Sequence, residues 1–287
     1  MSDIELACHL GAWAAEGTVN ALDDIEQAGY QGVEMTPEVV EQFEDRIGVF
    51  TEILTQHKLR LMAISSGGQL WPGTNLDEEV ERSLNIARFI KACGASVLNL
   101  YPPRINPEEP VEDELDLVPV ATAYGEIARR TLEVGVQAVL HADTGTYADN
   151  PKSIQRFLSL ADPEALKLCV DSGFLAEAGI SPATFIKENK KRIGLVHLRD
   201  LKMKEVRPRK THASKKAKAP THTHTSHPIA VELGKGDLKL ENFVNALLDC
   251  DYSGWAVVEF DHYKDRPLGA IARGSYKYVE QNLDFVL

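Results

Sequence analysis

Short apolar runs in this chain end repeatedly in a histidine or a carboxylate. Runs rich in Val, Leu and Ala lead directly into His141, Asp171, His197 and Glu259, and a further polar residue follows each of them within two positions. Runs of this length and composition are typical of buried strands. Because parallel strands bring their carboxyl ends to one face of a barrel, we expect these four side chains to meet there.

Two patterns of apolar positions alternate along the whole chain. Short apolar runs predict strands at Ile4–His9, Gly32–Met35, Leu59–Ile64, Val97–Leu100, Val136–His141, Leu166–Asp171, Ile193–His197 and Trp255–Glu259. Apolar residues at helical spacing predict helices at Thr18–Ala28, Pro37–His57, Leu76–Ala92, Leu117–Glu133, Pro151–Leu160, Pro182–Asn189, Leu240–Cys250 and Leu268–Leu283. This order of elements indicates a parallel sheet covered by helices.

Two α/β folds produce such an alternation, a closed barrel and an open doubly wound sheet. A length of 287 residues fits one large barrel or two smaller domains, so the length does not choose between them. An open sheet gathers its ligands at one switch point, whereas all the strand ends of a barrel surround one site. Because chemical residues follow so many successive strands, we predict a single (β/α)8 TIM barrel domain over residues 1–287.

A long polar segment from Lys202 to Pro228 interrupts this regular order. It is rich in lysine and arginine and contains the run His222-Thr-His224-Thr-Ser-His227. We place it as a loop after the seventh strand and, because it has few apolar groups to bury, expect it to contribute little to stability. A mobile solvated loop and a lid over a bound ligand both fit this pattern. Its histidines are a weaker candidate for metal binding, because no neighbouring residues would hold them in a fixed coordination geometry.

The composition limits the kinds of partner. A formal net charge of −12 argues against a nucleic-acid-binding surface. Cys8, Cys93, Cys169 and Cys250 are scattered without a CxxC pair, which indicates buried free thiols in a reducing compartment. The first residues lack a signal-peptide pattern, and no stretch approaches the ~20 apolar residues of a membrane span. We expect a cytoplasmic protein without membrane contact. The sequence allows a homo-oligomer as well as a monomer.

Two imidazoles and two carboxylates would converge at the predicted strand ends. His141, Asp171, His197 and Glu259 form a mixed nitrogen and oxygen donor set, which suits Mn²⁺, Zn²⁺, Co²⁺ or Fe²⁺. Mg²⁺ is less suited because it prefers oxygen ligands. One such residue alone would fit a structural hydrogen bond or ion pair, but four at equivalent positions favour a metal site.

The sequence around these residues resembles that of a known superfamily. The segments Gly135–Thr146, Val170–Gly173, Val196–Asp200 and Gly254–Glu259 are similar to motifs of the sugar phosphate isomerase/epimerase superfamily of xylose-isomerase-like TIM barrels. They are most similar to its inosose dehydratase branch, and the similarity covers nearly the whole chain. The resemblance implies one divalent ion, usually Mn²⁺ or a near relative, held by the four residues that end strands five to eight.

Three positions depart from the motifs of that superfamily. His141 stands where the epimerases have a glutamate that serves as both ligand and base, and Phe174 stands where Asp-x-Gly-His has its histidine. Asp143 replaces the second histidine of the His-x-His-x-Gly-Thr motif of inosose dehydratases, which leaves it open as a base, a ligand or a substrate contact. Because an epimerase needs two bases, the loss of a carboxylate counts against epimerisation.

The resemblance implies enolate chemistry on a small polyol or keto-sugar. The ion would polarise a keto group, so that an adjacent proton becomes removable. Loss of a β-hydroxyl then completes a dehydration, and we expect a metal-dependent lyase acting on a keto-cyclitol or keto-sugar such as an inosose. A keto-sugar isomerase or epimerase is the alternative, followed by a sugar-binding barrel without catalysis. Related barrels that cleave DNA need more metal ligands and a basic surface, which this acidic chain with four predicted ligands does not offer.

Several further residues are candidates for proton transfer. Glu259 is expected to combine metal ligation with base catalysis, and Asp143, Asp200, Glu34 and His262 are candidates for the second acid or base. Asp200 fits equally well as a partner that orients His197, and Glu34 fits a structural ion pair.

Aromatic residues and one more histidine are candidates for substrate contact. Trp13 and Trp71 follow the first and third strands and would either line the pocket or pack in the core. His9 ends the first strand, and His262 follows the last. All four are candidates for substrate contact, although the sequence does not determine the orientation of His9.

Overall fold

The computed structural model describes residues 4–14, 17–67, 70, 74–105, 114–206, 228–261 and 266–283. The strands in these ranges are β1 (Ile4–His9), β2 (Gly32–Met35), β3 (Arg60–Gly67), β4 (Val97–Tyr101), β5 (Gln137–His141), β6 (Leu166–Asp171), β7 (Ile193–Leu198), β8 (Asp200–Val206), β9 (Pro228–Val231) and β10 (Gly254–Val258). All except β8 and β9 close a parallel barrel in the order β1-β10-β7-β6-β5-β4-β3-β2. The predicted (β/α)8 barrel is confirmed.

Helices connect the strands of the barrel and cover its outside. They are α1 (Thr18–Ala28), α2 (Glu38–Phe43), α3 (Ile47–Gln56), α4 (Leu76–Ala92), α5 (Glu114–Glu133), α6 (Pro151–Leu160), α7 (Ser172–Glu177), α8 (Pro182–Asn189), α9 (Leu240–Leu248) and α10 (Leu268–Asn282), with 3-10 helices at Leu10–Trp13 and Glu44–Arg46. The predicted bounds of α1, α4, α6 and α8 agree with the structure. The short helix α7 was not predicted.

The prediction of one continuous helix from Pro37 to His57 is wrong. The chain forms α2, a 3-10 turn and α3, because the backbone of Phe43 (φ −132°) and of Arg46 (φ −148°) leaves the helical region. The break allows the Phe43 ring to pack 5.1 Å from the ring of Phe50 in the core.

Strand β3 is longer than the predicted Leu59–Ile64 and continues past Ile64 to Gly67. Ser65 and Ser66 are buried, and the strand pairs with β4 as far as Gly67 opposite Tyr101. Gly67 has φ +123°, and a Cβ atom at this position would collide with the Tyr101 carbonyl. Only glycine therefore permits this close approach of β3 to the end of β4.

The barrel interior consists of an apolar layer beneath a polar mouth. Val139, Cys169, Leu195 and Val257 belong to one buried cluster together with residues of β1 and β3. Each of the four lies two residues before one of the predicted metal ligands, so that ligand and layer residue share the inward face of the strand. The apolar layer therefore packs directly beneath the polar side chains at the mouth of the barrel.

Strands β8 and β9 form an antiparallel arm outside the barrel. The segment predicted as a loop from 202 to 228 thus begins and ends in strands, while residues 207–227, with the three histidines, lie outside the described residues. Asp261 donates its backbone N–H to Ala230, and the Ala230 N–H returns a bond to the Asp261 carboxylate. These bonds attach the arm to the segment that follows β10.

The sequence predicted free thiols and no membrane-spanning segment. All four cysteines are free thiols; Cys8 and Cys169 are buried, and Cys93 and Cys250 are half-buried. Within the described ranges, every helix is too short or too polar to cross a bilayer.

Candidate metal centre and active site

The carboxyl ends of β5, β6, β7 and β10 bring the four predicted ligands into one cluster. His141, Asp171 and His197 are buried, whereas the Glu259 side chain is 24% exposed. His141 Nε2 is 3.3 Å from Asp171 Oδ2, and His197 Nδ1 is 2.9 Å from Glu259 Oε2. The two pairs adjoin because Asp171 lies opposite His197 in the strand register.

Two overlapping sets of donor atoms in this cluster suit a cation. One set comprises Asp171, His197 and Glu259, and the other comprises His141, Cys169 and His197. Within each set the ligand atoms all lie within 4.8 Å of one another. Neighbouring ligands of an ion with bonds of roughly 2.0–2.2 Å are about 3 Å apart, which matches the separation of His197 from Glu259. The residues present therefore fit a divalent metal ion.

His197 lies between two carboxylates. Its Nε2 is 2.7 Å from Glu34 Oε2, while its Nδ1 contacts Glu259. Burial alone would lower the pKa of His197, but the two carboxylates outweigh burial and raise it to about 10. Burial would likewise raise the pKa values of Glu34 and Glu259, yet both are lowered, chiefly by His197. The three groups form one charge-coupled unit.

Asn99 connects this unit to His141. Its amide nitrogen donates to Glu34 Oε1 at 2.8 Å and to His141 Nδ1 at 3.1 Å, from the inward face of β4. An accepting Nδ1 leaves the proton of a neutral His141 on Nε2, which faces Asp171. The Asn99 Oδ1 atom is buried without a partner in the described ranges. Such a group costs ~1–3 kcal/mol and often marks a functional site.

Arg199 adds a buried guanidinium to the centre. Its Nε is 2.7 Å from Asp171 Oδ2, an ion pair whose angle does not make a hydrogen bond, and its Nη2 is 3.7 Å from Asp143 Oδ1. Burial would raise the pKa of Asp171, but Arg199 and His141 lower it to about 2. Asp143 also contacts the exposed Arg104 at 3.4 Å. Asp143 thus lies at the rim, between two arginines.

The sequence after Asp171 fits this arrangement closely. Asp171 Oδ1 accepts the N–H of Phe174 at 2.9 Å and caps helix α7. A Cβ atom at Gly173 would lie 3.0 Å from Arg199 Nε, so glycine makes room for the guanidinium. The Phe174 ring is buried in the core. The aromatic ring therefore brings no acid or base to the position where related motifs have a histidine.

His9 reaches the mouth with both ring nitrogens engaged. Its Nδ1 accepts the N–H of Gly11 at 3.0 Å, so its Nε2 carries the proton and donates to Ser65 Oγ at 3.0 Å. Ser65 donates in turn to the Met35 carbonyl. The ring centroid of His9 is 6.2 Å from that of His197. His9 borders the centre, but its hydrogen-bonding capacity is used within the protein.

Asp200 lies outside this cluster. Its carboxylate accepts the backbone N–H groups of Gly234, Gly236 and Leu238 at 2.8–3.1 Å. These bonds fix the loop that follows β9. The prediction that Asp200 acts as an acid or base, or that it orients His197, finds no support in these contacts, because its partners are backbone groups of a remote loop.

The tryptophans and His262 were predicted near the substrate. Trp13 is buried, donates from Nε1 to Asp24 at 3.0 Å and packs edge-on against Phe260, so its place is in the core. Trp71 and His262 lie outside the described residues.

A cavity of ≈520 Å³ opens beside the centre. Its wall includes Thr36, Ser66, Arg82 and Tyr101, together with His9 and Ser65, and the carboxylates of Glu38 and Glu41 at its rim. The Tyr101 ring stacks on the His141 ring with centroids 4.2 Å apart. This contact joins the cavity to the cluster of candidate ligands.

Three residues of the centre carried no prediction from the sequence. Asn99 is a polar residue within an otherwise apolar strand, and Tyr101 ends the same strand on the same face. Arg199 follows His197 by two positions and therefore faces the same way. Every second residue of a strand faces the same side. Following each strand in steps of two residues would therefore have identified these three side chains.

Comparisons with known proteins match most of the chain. The family model described as xylose isomerase-like TIM barrel matches residues 22–281. An inosose dehydratase of Lacticaseibacillus casei is 25% identical over 258 residues, which cover 83% of this chain and 80% of that protein.

Two solved structures share the fold. The probable 3-DHS dehydratase AsbF from Bacillus anthracis has a TM-score of 0.75 at 12% identity, covering 97% of this chain and 100% of that chain. A D-allulose 3-epimerase from Methylomonas sp. has a TM-score of 0.74 at 16% identity, covering 98% of each. The resemblance inferred from the sequence motifs is confirmed. The chain belongs to the xylose isomerase-like TIM barrel family.

Proposed function

We propose that this protein is a divalent-metal-dependent dehydratase that acts on a keto-cyclitol or keto-sugar such as an inosose. The observation that carries the proposal is the convergence of His141, Asp171, His197 and Glu259 beside a polar cavity. The similarity to inosose dehydratases favours this substrate class. The named relatives are enzymes, which favours catalysis over simple sugar binding.

The four residues of the cluster would hold the ion. Mn²⁺ is our proposal, and Zn²⁺, Co²⁺ and Fe²⁺ suit the same mixed donor set. When bound, the ion supplies a Lewis acid for the keto oxygen and stabilises negative charge there. The side chains around it then determine which proton is removed and which group leaves.

Glu259 is the proposed base. A base must reach the proton of the substrate, and Glu259 keeps 24% of its side chain exposed, whereas the Glu34 side chain is completely buried. In the described ranges only one Glu259 oxygen accepts a hydrogen bond, from His197. Asp143, with 18% exposure, is the next partly exposed carboxylate beside the cluster, 3.7 Å from Arg199. We assign Glu34 to holding His197.

The surroundings of the cluster favour elimination over epimerisation. Epimerisation requires a second base on the opposite face of the enolate, and the positions of His141 and Phe174 provide no carboxylate or free imidazole for that role. His141 is fixed by Asn99 and Asp171, and Phe174 is buried in the core. Loss of a β-hydroxyl needs one base and one proton donor, which this centre can supply.

Product analysis in D₂O tests the proposal. Mn²⁺-loaded protein is incubated with a panel of keto-cyclitols and keto-sugars, and the products are followed by NMR and by absorbance of the conjugated enone. We expect an unsaturated product from an inosose-type substrate. Deuterium incorporation without loss of water, or a changed configuration, would instead identify an isomerase or epimerase, and unchanged substrates throughout would indicate a binding protein.

A further inference from the structure

The Tyr101 side chain occupies the boundary between the cluster and the cavity. It ends β4 two residues after Asn99, on the same inward face, and its ring stacks on His141 at 4.2 Å with an interplanar angle of 23°. It also forms part of the cavity wall together with His9 and Ser65. A molecule in the cavity that reached the cluster would therefore pass the Tyr101 side chain.

The fold holds Tyr101 in this place through its backbone. The Tyr124 hydroxyl donates to the Tyr101 carbonyl, and β3 approaches the same carbonyl so closely that only glycine fits at position 67. None of these contacts involves the phenol. The position of the ring is thus set by the backbone and by His141, which leaves the hydroxyl for another partner.

Three other polar groups of the cavity wall already make hydrogen bonds within the protein. His9 donates to Ser65, and Ser65 donates in turn to the Met35 carbonyl. Arg82 pairs with Glu79 at 2.8 Å and donates to Ser66 at 3.0 Å. His9 and Ser65 would have to break these bonds in order to donate a proton to a substrate.

The Tyr101 hydroxyl differs from them. It donates no hydrogen bond to any residue in the part of the chain that the structure describes, although the ring that carries it stacks on the candidate ligand His141. We propose that Tyr101 is the proton donor to the departing β-hydroxyl of the dehydration. This assignment rests on the proposed function and names an acid other than the candidates predicted from the sequence.

The step balances with one base and one donor. Glu259 takes the proton next to the keto group, and the C–H electron pair forms the enolate. The enolate re-forms the carbonyl and a carbon–carbon double bond as the β-carbon–oxygen bond breaks, with its electron pair going to the oxygen. The Tyr101 O–H supplies the proton that turns this group into water, and the phenolate regains a proton from solvent while Glu259 releases one. No electron acceptor is needed.

Tyr101→Phe separates this role from a structural one. Phenylalanine keeps the ring on His141 and the backbone contacts, so we expect an unchanged melting temperature and unchanged Mn²⁺ content. In D₂O the variant should still exchange the proton next to the keto group, while water loss falls by the ~10²–10⁴-fold typical of a missing acid. Tyr30→Phe is the matched control, because the buried Tyr30 hydroxyl donates to the Ala272 carbonyl away from the centre.

A substrate analogue with fluorine in place of the β-hydroxyl sharpens the test, since fluoride leaves without a proton. Tyr101→Phe should release fluoride at nearly the wild-type rate. Dehydration at the wild-type rate, loss of proton exchange, loss of metal, or equal defects with both leaving groups would each overturn the role of Tyr101. A wild-type protein that exchanges deuterium but never loses water would overturn the proposed dehydratase, whatever the variant does.

Discussion

Three side chains at the mouth of the barrel hold one another in place. The imidazole of His197 lies between the carboxylates of Glu34 and Glu259, at 2.7 and 2.9 Å. Because Glu34 is completely buried and also accepts from Asn99, its position is fixed, and it holds one side of the imidazole. Glu259 is the partner that solvent and substrate reach. The same residue type thus serves two roles, which burial distinguishes.

Glu259→Gln separates ligation from proton transfer. An amide oxygen still occupies the coordination position, so Mn²⁺ affinity measured by calorimetry should fall only modestly. The amide accepts no proton at neutral pH, so turnover should fall by ~10²–10⁴-fold. Glu133→Gln, on the exposed surface of α5, is the control and should change neither quantity. A Glu259→Gln protein that keeps metal and near wild-type turnover would make Glu259 a ligand only and direct attention to Asp143.

Asp200→Ala tests the structural role that the hydrogen bonds give to this residue. The substitution leaves three backbone N–H groups of the loop after β9 without their acceptor. An unsatisfied buried N–H group costs about 1–3 kcal/mol, but Gly234 is exposed and Gly236 and Leu238 are half-buried, so the free energy of unfolding in urea should fall by about that amount in total. Asp200→Asn keeps one acceptor oxygen, so its free energy of unfolding should lie between those of wild type and Asp200→Ala. The control Asp249→Ala, at an exposed position, should be as stable as wild type. If Asp200→Ala keeps full stability but loses turnover, Asp200 acts in catalysis and not in holding the loop.

Residues at strand ends were predictable from the sequence, but their partners were not. His141, Asp171, His197 and Glu259 stand out because each terminates an apolar run. Asp200 stands equally close to a strand end, yet its partners are backbone groups 34 to 38 residues further along the chain. Sequence spacing carries no information about such a contact, because it depends on the path of the arm.

At the scale of elements, helix α6 shows that a helix is predictable from the sequence when its first turn carries local signals. Helix α6 begins with the capping box of Asn150 and Ser153 and with Pro151, and its bounds agree with the structure. Strand β3 was cut short because Ser65 and Ser66 are polar, although they face a polar mouth. The helix broken at Phe43 kept an apolar spacing that continued through the break. Tertiary contacts decided the last two cases.

The arm links the long polar segment to the centre. Strand β8 begins directly after Arg199, and β9 bonds to Asp261, two residues after Glu259. Val206 pairs with Pro228, so the two described residues that flank 207–227 lie opposite each other. A short linker is therefore able to replace that segment without disturbing the strands.

Replacing residues 207–227 by a two-residue Asn-Gly turn tests what the segment does. We expect a melting temperature within a few degrees of wild type (about 1 kcal/mol), because the sequence of the segment offers few apolar groups to bury. A raised KM with little change in kcat would identify a lid, and an unchanged KM would identify a solvated loop. A collapse of the melting temperature would contradict the expected small contribution to stability. Asn-Gly is suited to a tight turn between antiparallel strands.

At the scale of the whole molecule, the barrel explains why distant sequence segments form one site. The ligands come from four separate strands, and closure of the sheet brings β1 beside β10, so that residues from both ends of the chain reach the mouth. The apolar layer beneath them closes the barrel below the centre. The fold was predictable because this layout requires only a repeated pattern, whereas the reaction depends on a few side chains that the pattern does not specify.

The dependence of dehydration on a bound ion is the central claim, and titration of metal-free protein tests it most directly. The protein is stripped with a chelator, Mn²⁺ is added back in steps, and bound metal and the rate of enone formation from an inosose are measured on the same samples. We predict no turnover before addition, a rise in rate that parallels bound metal and levels off at one ion per chain, and no tight binding by Asp171→Ala. Metal-free protein that dehydrates the inosose at the untreated rate would contradict the account.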